Sequence, residues 1–231
     1  MTTSFSLSDS LSLDDLHLYL SRAGRLEDGA VRLIAGSGVL AVYTGVIFPI
    51  GLLDESPTVL GLRTFALVET DGAVAEFDAV VPMRSLVERL VRLQGQERDR
   101  EAPVTVGLPI QVNTATWAAI SPPRGGWRTL PNTEAMLLEQ TARAGITEIA
   151  EALPDGTGEQ IVHRVRSEVW GRGIPGLEYV PAGAAFGCFA LGFLGEPASG
   201  QIGVFETGPW TRLSSPRGHV LVRRRGWTLQ R

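Results

Sequence analysis

The chain has 231 residues, 44% of them hydrophobic and 20% charged, the make-up of a folded protein with a sizeable core rather than a disordered one. Its formal charge is −4, and all 21 basic residues are Arg, so a Schiff-base lysine, a PLP anchor and a phosphate-loop lysine are excluded. One cysteine, Cys188, rules out an intrachain disulfide and sets a cytoplasmic protein as the expectation.

The opening residues lack the basic start and apolar run of a signal peptide. Ser12 reads as a helix cap, with Leu13, Leu16 and Leu20 at helical spacing and Gly24 as the stop, which predicts a helix over 13–23. Val31 to Ala35 and Val39 to Ile47 read as strands joined by a tight hairpin at Gly36-Ser37-Gly38. The longest apolar run, Val39 to Leu53, is broken by Thr44, Gly45, Pro49 and Gly51 and is too short to span a bilayer. Further strands are expected at Thr58 to Val68 and Val74 to Val81. A helix should follow Pro82 with Met83, Leu86 and Leu90 inward, and a strand should run from Pro103 to Val112.

Composition shifts near residue 112. Residues 1–112 carry 9 Arg and 15 acidic residues, and residues 113–231 carry 12 Arg, 10 acidic residues and all five Trp. Beyond the shift, Asn132 is the expected cap of a helix over 133–153. Thr157 and Gln160 have capping-box spacing for another, and Pro181 to Leu194 reads as a buried helix with Gly183 and Gly187 spaced for close approach. Short strands are expected at Gln201 to Glu206, Leu213 to Ser215 and His219 to Arg224.

The expected fold is therefore α+β, with two subdomains that are each a mostly antiparallel sheet carrying helices on one face. The first, 1–112, is ordered α-β-β-β-β-α-β, and the second, 113–231, β-β-α-α-α-β-β-β.

No motif names a reaction. His17, His163 and His219 share no metal-ligand spacing with one another or with Cys188, so no metal site and no cofactor are expected. His17 and His163 are expected on helix surfaces, and Cys188, among apolar residues, as an inert thiol. The most specific signal is a repeated turn. Trp117, Ile120, Ser121, Pro123, Arg124 and Gly125 match Trp210, Leu213, Ser214, Pro216, Arg217 and Gly218, with five identities over nine positions. Proline fixes φ and glycine permits positive φ, so each Pro-Arg-Gly is suited to a loop tip. The plain reading is two similar hairpins with Trp inward. The functional reading sets Arg124 and Arg217, with His219 nearby, around one small anion. Arg223, Arg224 and Arg225, with Trp227, are candidate nucleic-acid contacts, although the acidic whole and the strand alternation disfavour that role.

The segment W-A-A-I-S-P-P-R-G-G-W-R-T-L-P-N-T-E, together with the lysine-free composition, resembles conserved hypothetical proteins of high-GC actinobacteria, a group with no assigned activity. That resemblance implies a bacterial setting and transfers no site residue. The sequence leans away from an enzyme. It favours a cytosolic interaction module, either a homo-oligomer or one with a protein partner and without a membrane segment. An anion-binding protein is the alternative.

Overall fold

The computed structural model describes residues 3–51, 54–70, 72–97, 99–112, 115–154 and 156–223. The fold is α+β, and the chain divides into two compact units. Unit 1 comprises residues 1–45 and 62–120, and unit 2 comprises residues 46–61 and 121–231. Residues 46–61 lie in the half of the sequence that otherwise builds unit 1.

Unit 1 begins with β1 (Ser4–Leu7), a strand the sequence reading missed because four residues are too few for alternation to register. It pairs antiparallel with β6 (Val104–Gly107), which is shorter than the expected Pro103 to Val112. The first helix, α1, spans Ser10–Ala23 and starts earlier than expected. Its cap is Asp9, whose carboxylate accepts the Ser12 N–H at 2.7 Å, and an anionic acceptor also complements the positive end of the helix.

β2 (Ala30–Gly36) and β3 (Val39–Ile47) form the expected hairpin, with Gly36 opposite Val39. Its two loop residues, Ser37 and Gly38, have φ of 51° and 76°, the left-handed pair that matches the twist of the strands. β5 (Phe77–Pro82) flanks β2 on the other side, so the main sheet of unit 1 is ordered β5-β2-β3-β4, where β4 spans Thr58–Ala66. α1 and α2 (Met83–Gln94) bury Leu13, Leu16, Leu20, Leu86 and Leu90. Tyr19 is buried with them, and its hydroxyl shares a 2.9 Å hydrogen bond with Thr44 Oγ1.

Strands β3 and β4 each contribute residues to both units. In unit 2 the sheet order is β4-β12-β11-β10-β7, from β7 (Arg128–Glu134), β10 (Gln201–Thr207), β11 (Trp210–Ser215) and β12 (Gly218–Arg223). The pairs β7–β10, β10–β11 and β11–β12 are antiparallel. A small hairpin of β8 (Gly173–Ile174) and β9 (Leu177–Pro181) also forms, which the sequence reading did not assign. Trp117, expected inward in a hairpin, is buried, but in a short 3-10 helix, Thr116–Ala119, in unit 1.

Three helices complete unit 2. α3 (Ala135–Ala152) is not capped by Asn132, which lies within β7; the Gly200 carbonyl accepts the Ala135 N–H instead. α4 (Glu159–Gly171) starts without the expected capping box, because the Thr157 hydroxyl donates back to the Pro154 carbonyl at 2.6 Å. α5 (Ala182–Ala190) is the buried, small-residue helix the sequence predicts. A Cβ on Gly183 would stand 2.8 Å from Ile47 Cδ1, and one on Gly187 would stand 3.3 Å from Val59 Cγ1, so both glycines serve close approach.

Trp170 of α4 is the most deeply buried tryptophan among the described residues. Its ring stacks on Phe186 at 4.5 Å between centroids and lies against Gly145 of α3. No helix among the described residues is long and apolar enough to cross a membrane.

Candidate functional site

The two Pro-Arg-Gly turns are built differently. The second closes the β11–β12 hairpin, with Ser215 opposite Gly218. The Ser215 hydroxyl accepts the Arg217 N–H at 3.1 Å; Gly218 has φ of 150°, and a Cβ there would stand 2.5 Å from the Phe193 ring. The first lies in an irregular segment ahead of β7, where the Trp127 indole N–H donates to the Pro123 carbonyl at 3.2 Å. Gly126 packs beside Thr207, the last residue of β10, whose partner Trp210 opens β11.

The turns therefore sit at opposite ends of β11, a six-residue strand about 20 Å long. Arg124 and Arg217 are both exposed, and the structure does not bring them to one point. Their resemblance is one of local tripeptide chemistry set in different frames. Arg223 ends β12 opposite Trp210 and is exposed, whereas Arg224, Arg225 and Trp227 lie outside the described residues.

His219 does have a cationic neighbour, and it is Arg212. Cross-strand register places Phe205, Arg212 and Leu221 side by side on one face of the sheet, and Gly203, Ser214 and His219 in the next row. The Arg212 guanidinium lies 4.6 Å from the ring centroids of both Trp127 and Phe205. Cations favour aromatic faces, and the guanidinium is weakly hydrated enough to tolerate the stack. Its Nε is buried and has no hydrogen-bond partner among the described residues.

Burial, and then the charge of Arg212, hold His219 below its ordinary pKa of 6.5, so its ring is neutral at pH 7. His219 Nδ1 and Ser214 Oγ share a 2.9 Å hydrogen bond. That separation meets one condition for an activated serine, but among the described residues no acid orients the ring. Ser214 and His219 are directly opposed in the ladder, and a cross-strand pair accounts for the contact.

A second feature of unit 2 is a cleft of about 1490 Å³ lined by Ile50, Gly51, Asp54 and Glu55 and by one side of α4, reached by Gln160, His163, Arg164 and Ser167. The first of these walls is shaped by Asp54, whose carboxylate accepts the Ile50 N–H at 2.7 Å and the Ser56 N–H at 2.8 Å. His163, expected on a helix surface, is partly exposed on α4, and its Nε2 lies 3.2 Å from Asp54 Oδ2. Burial pushes the Asp54 pKa up, but the two N–H donors and His163 outweigh it and leave the carboxyl below the ordinary range. Arg172, at the far wall, is held by Glu148 at 2.7 Å and Glu168 at 2.9 Å. Ile50 projects from the rim with 72% of its surface exposed, and Ile161 of α4 is exposed on the side that carries Arg164 and Glu168.

Sequence reasoning missed Arg212, Asp54 and this cleft. Only the alternation in W-T-R-L-S-S put Arg212 and Ser214 on one face, and nothing in the chain marked Trp127 and Phe205 as their neighbours. Cys188 is buried, which pushes its thiol pKa up and makes it unreactive. Among the described residues no group of three His, Cys, Asp or Glu side chains is placed to hold a metal.

Two family models match the chain. The one described as Domain of unknown function (DUF8010) covers residues 1–109, and the one described as Domain of unknown function (DUF8185) covers residues 122–227. No curated protein matches. Among solved structures the fold is that of bacterial DNA sliding clamps. The DnaN sliding clamp (DNA polymerase III subunit beta) of Bartonella birtlesii, bound to griselimycin, matches over 99% of this chain with a TM-score of 0.52 and 12% identity. The Caulobacter crescentus pol III beta matches over 96% with a TM-score of 0.50 and 10% identity. The chain spans 66% and 65% of those proteins, just under two thirds of their length.

Proposed function

We propose that this chain is a protein-interaction module with a sliding-clamp-like fold, working as an oligomer or with protein partners through the cleft of unit 2. The observation that carries the reading is the cleft itself: about 1490 Å³, with the exposed Ile50 on its rim and charged groups around it. An apolar anchor point ringed by polar residues is the usual anatomy of a site that takes a peptide side chain. The volume exceeds that of an ordinary small-molecule pocket and suits an extended ligand.

Charge supports protein over nucleic acid as the partner. The five helices together carry seven Arg and eight acidic residues, so no helix layer offers the basic surface that phosphate backbones require. The likeness to proteins named sliding clamps supports the fold of the module, and its assembly state belongs to the proposal.

The test is selection of short peptides displayed at random against the full chain, followed by binding to Ser167→Trp, which fills the cleft. Peptides that share a sequence pattern and bind the variant at least tenfold more weakly support the reading. Peptides without a pattern, or with equal affinity for both proteins, overturn it. Light scattering on the same samples gives the assembly state.

A further inference from the structure

Register fixes which side chains share the sheet face around Arg212. That face carries Gly203, Phe205 and Thr207 of β10, Trp210, Arg212 and Ser214 of β11, His219, Leu221 and Arg223 of β12, and Thr129 of β7. Three of these residues are cations or can become so, and none is acidic. Arg128 and Glu206 pair with each other on the opposite face. The one acid in register with this face is Glu134 opposite Gln201, four residues along β10 from Phe205 and about 13 Å away. Arg212 thus holds a partly buried charge with no counter-ion among the described residues.

Two aromatic rings lie against the guanidinium, each with its centroid 4.6 Å from Cζ. A ring packed on a guanidinium does not use its in-plane N–H groups, which are the part that meets the two oxygens of a carboxylate in one plane. The rings also fix the side chain in advance, so ligand binding need not order it. His219 stands diagonally across the β11–β12 ladder, within reach of a group held at that edge. Its Nδ1 is engaged by Ser214, which leaves Nε2 to face a ligand.

We propose that Arg212, with His219 beside it, forms a carboxylate-binding site on the sheet face of unit 2 that carries both residues, separate from the cleft at α4. The ligand is a planar monoanionic carboxylate, carried either by a small organic acid or by a peptide C-terminus. Its oxygens accept from the in-plane N–H groups of Arg212 and from Nε2 of His219. This cation differs from the Arg124 and Arg217 pair that the sequence singles out, and it uses the same histidine. Burial first, and then the charge of Arg212, lower the His219 pKa, and a bound anion would offset that charge.

The experiment follows the imidazole resonances of His219 by NMR in the full chain at constant ionic strength. Sodium succinate, triglycine and triglycine amide are titrated separately, with sodium chloride as the control. The expected result is a saturable shift below about 50 mM, as a millimolar Kd implies. It should come with a rise in the His219 pKa of about one unit, which is the tenfold coupling between proton and anion. A response to succinate alone assigns small acids. A response to triglycine that is lost in its amide assigns peptide termini.

Arg212→Gln should abolish the response and move the free-state His219 pKa upward, since a repelling charge is gone. Should that variant not fold, the Arg212 Nε–H resonance of the unaltered protein gives the same reading, because it must move with the same ligand at the same midpoint. A His219 signal indifferent to every carboxylate overturns the proposal, and so does an Arg212→Gln protein that responds like the parent.

Discussion

Glycine inside a helix normally weakens it, and Gly145→Ala separates that local rule from packing. Gly145 lies within α3, where replacement by alanine should favour the helix by about 1 kcal/mol. The structure predicts the opposite sign. A Cβ on Gly145 would stand 2.4 Å from Cζ3, 2.7 Å from Cη2 and 3.2 Å from Cε3 of Trp170. Carbon atoms in contact sit about 3.5–4.0 Å apart, so the ring would have to move by more than 1 Å. It cannot do so freely: Trp170 is 2% exposed and its ring is stacked on Phe186.

Overpacking of this kind costs about 1–3 kcal/mol, and the upper half of that range applies to a rigid ring with no room behind it. Setting the helix gain against it leaves a net loss of about 1–2 kcal/mol. In a chain of this size that lowers the melting temperature by roughly 2–8 °C, measured by circular dichroism at a fixed scan rate. Placing the same substitution in a Trp170→Leu background removes the clash, and there Gly145→Ala should raise the melting temperature. A single Gly145→Ala protein more stable than its parent would refute the reasoning, since propensity would then have outweighed the contact.

Three further outcomes follow from groups whose surroundings are defined. Cys188 should resist a disulfide reagent such as DTNB in the native chain and react fully in denaturant; fast labelling under native conditions would contradict its burial. The Asp54 carboxyl titrates below its unfolded value of 3.8, so its stabilisation is complete above that pH and is lost as pH falls through the lower folded value. Asp54→Asn should therefore flatten the stability profile of the full chain in the acid range, and a profile unchanged from the parent would refute the assignment. Tyr19→Phe removes the hydroxyl that meets Thr44 Oγ1 in the core of unit 1 and should cost about 1–2 kcal/mol in chemical denaturation, against nearly nothing if the pair carried no weight.

What could be read from the sequence was what is local. Ser37-Gly38 declared its hairpin because only a few residue types accept the dihedrals that turn needs, and α5 declared its burial through composition. Helix starts were less readable. Asp9 took the cap assigned to Ser12, and Gly200 satisfied the backbone group assigned to Asn132, because a cap can be supplied from any part of the chain that reaches it. The candidate sites were the least readable of all. Trp127, Phe205, Arg212 and His219 come from three strands and the segment before a fourth, and their grouping depends on register. Likewise Asp54 and His163 stand far apart in the sequence and meet only in the folded unit 2. The echo between the two Pro-Arg-Gly turns was real as sequence and carried no common placement.

The division of strands β3 and β4 between the units has a consequence for how the chain matures. Residues 46–61 emerge early in synthesis, yet β4 begins at Thr58 and its neighbour β12 at Gly218, 160 positions later. Unit 2 cannot close its sheet until almost the whole polypeptide has been made, and loop closure over that separation is slow. For the same reason a fragment starting at residue 121 would lack a strand of its own sheet, whereas a nick near residue 115 would leave every strand available. Bisection at the junction between the two matched domains should therefore give pieces that regain the native state on mixing and that fail to reach it alone.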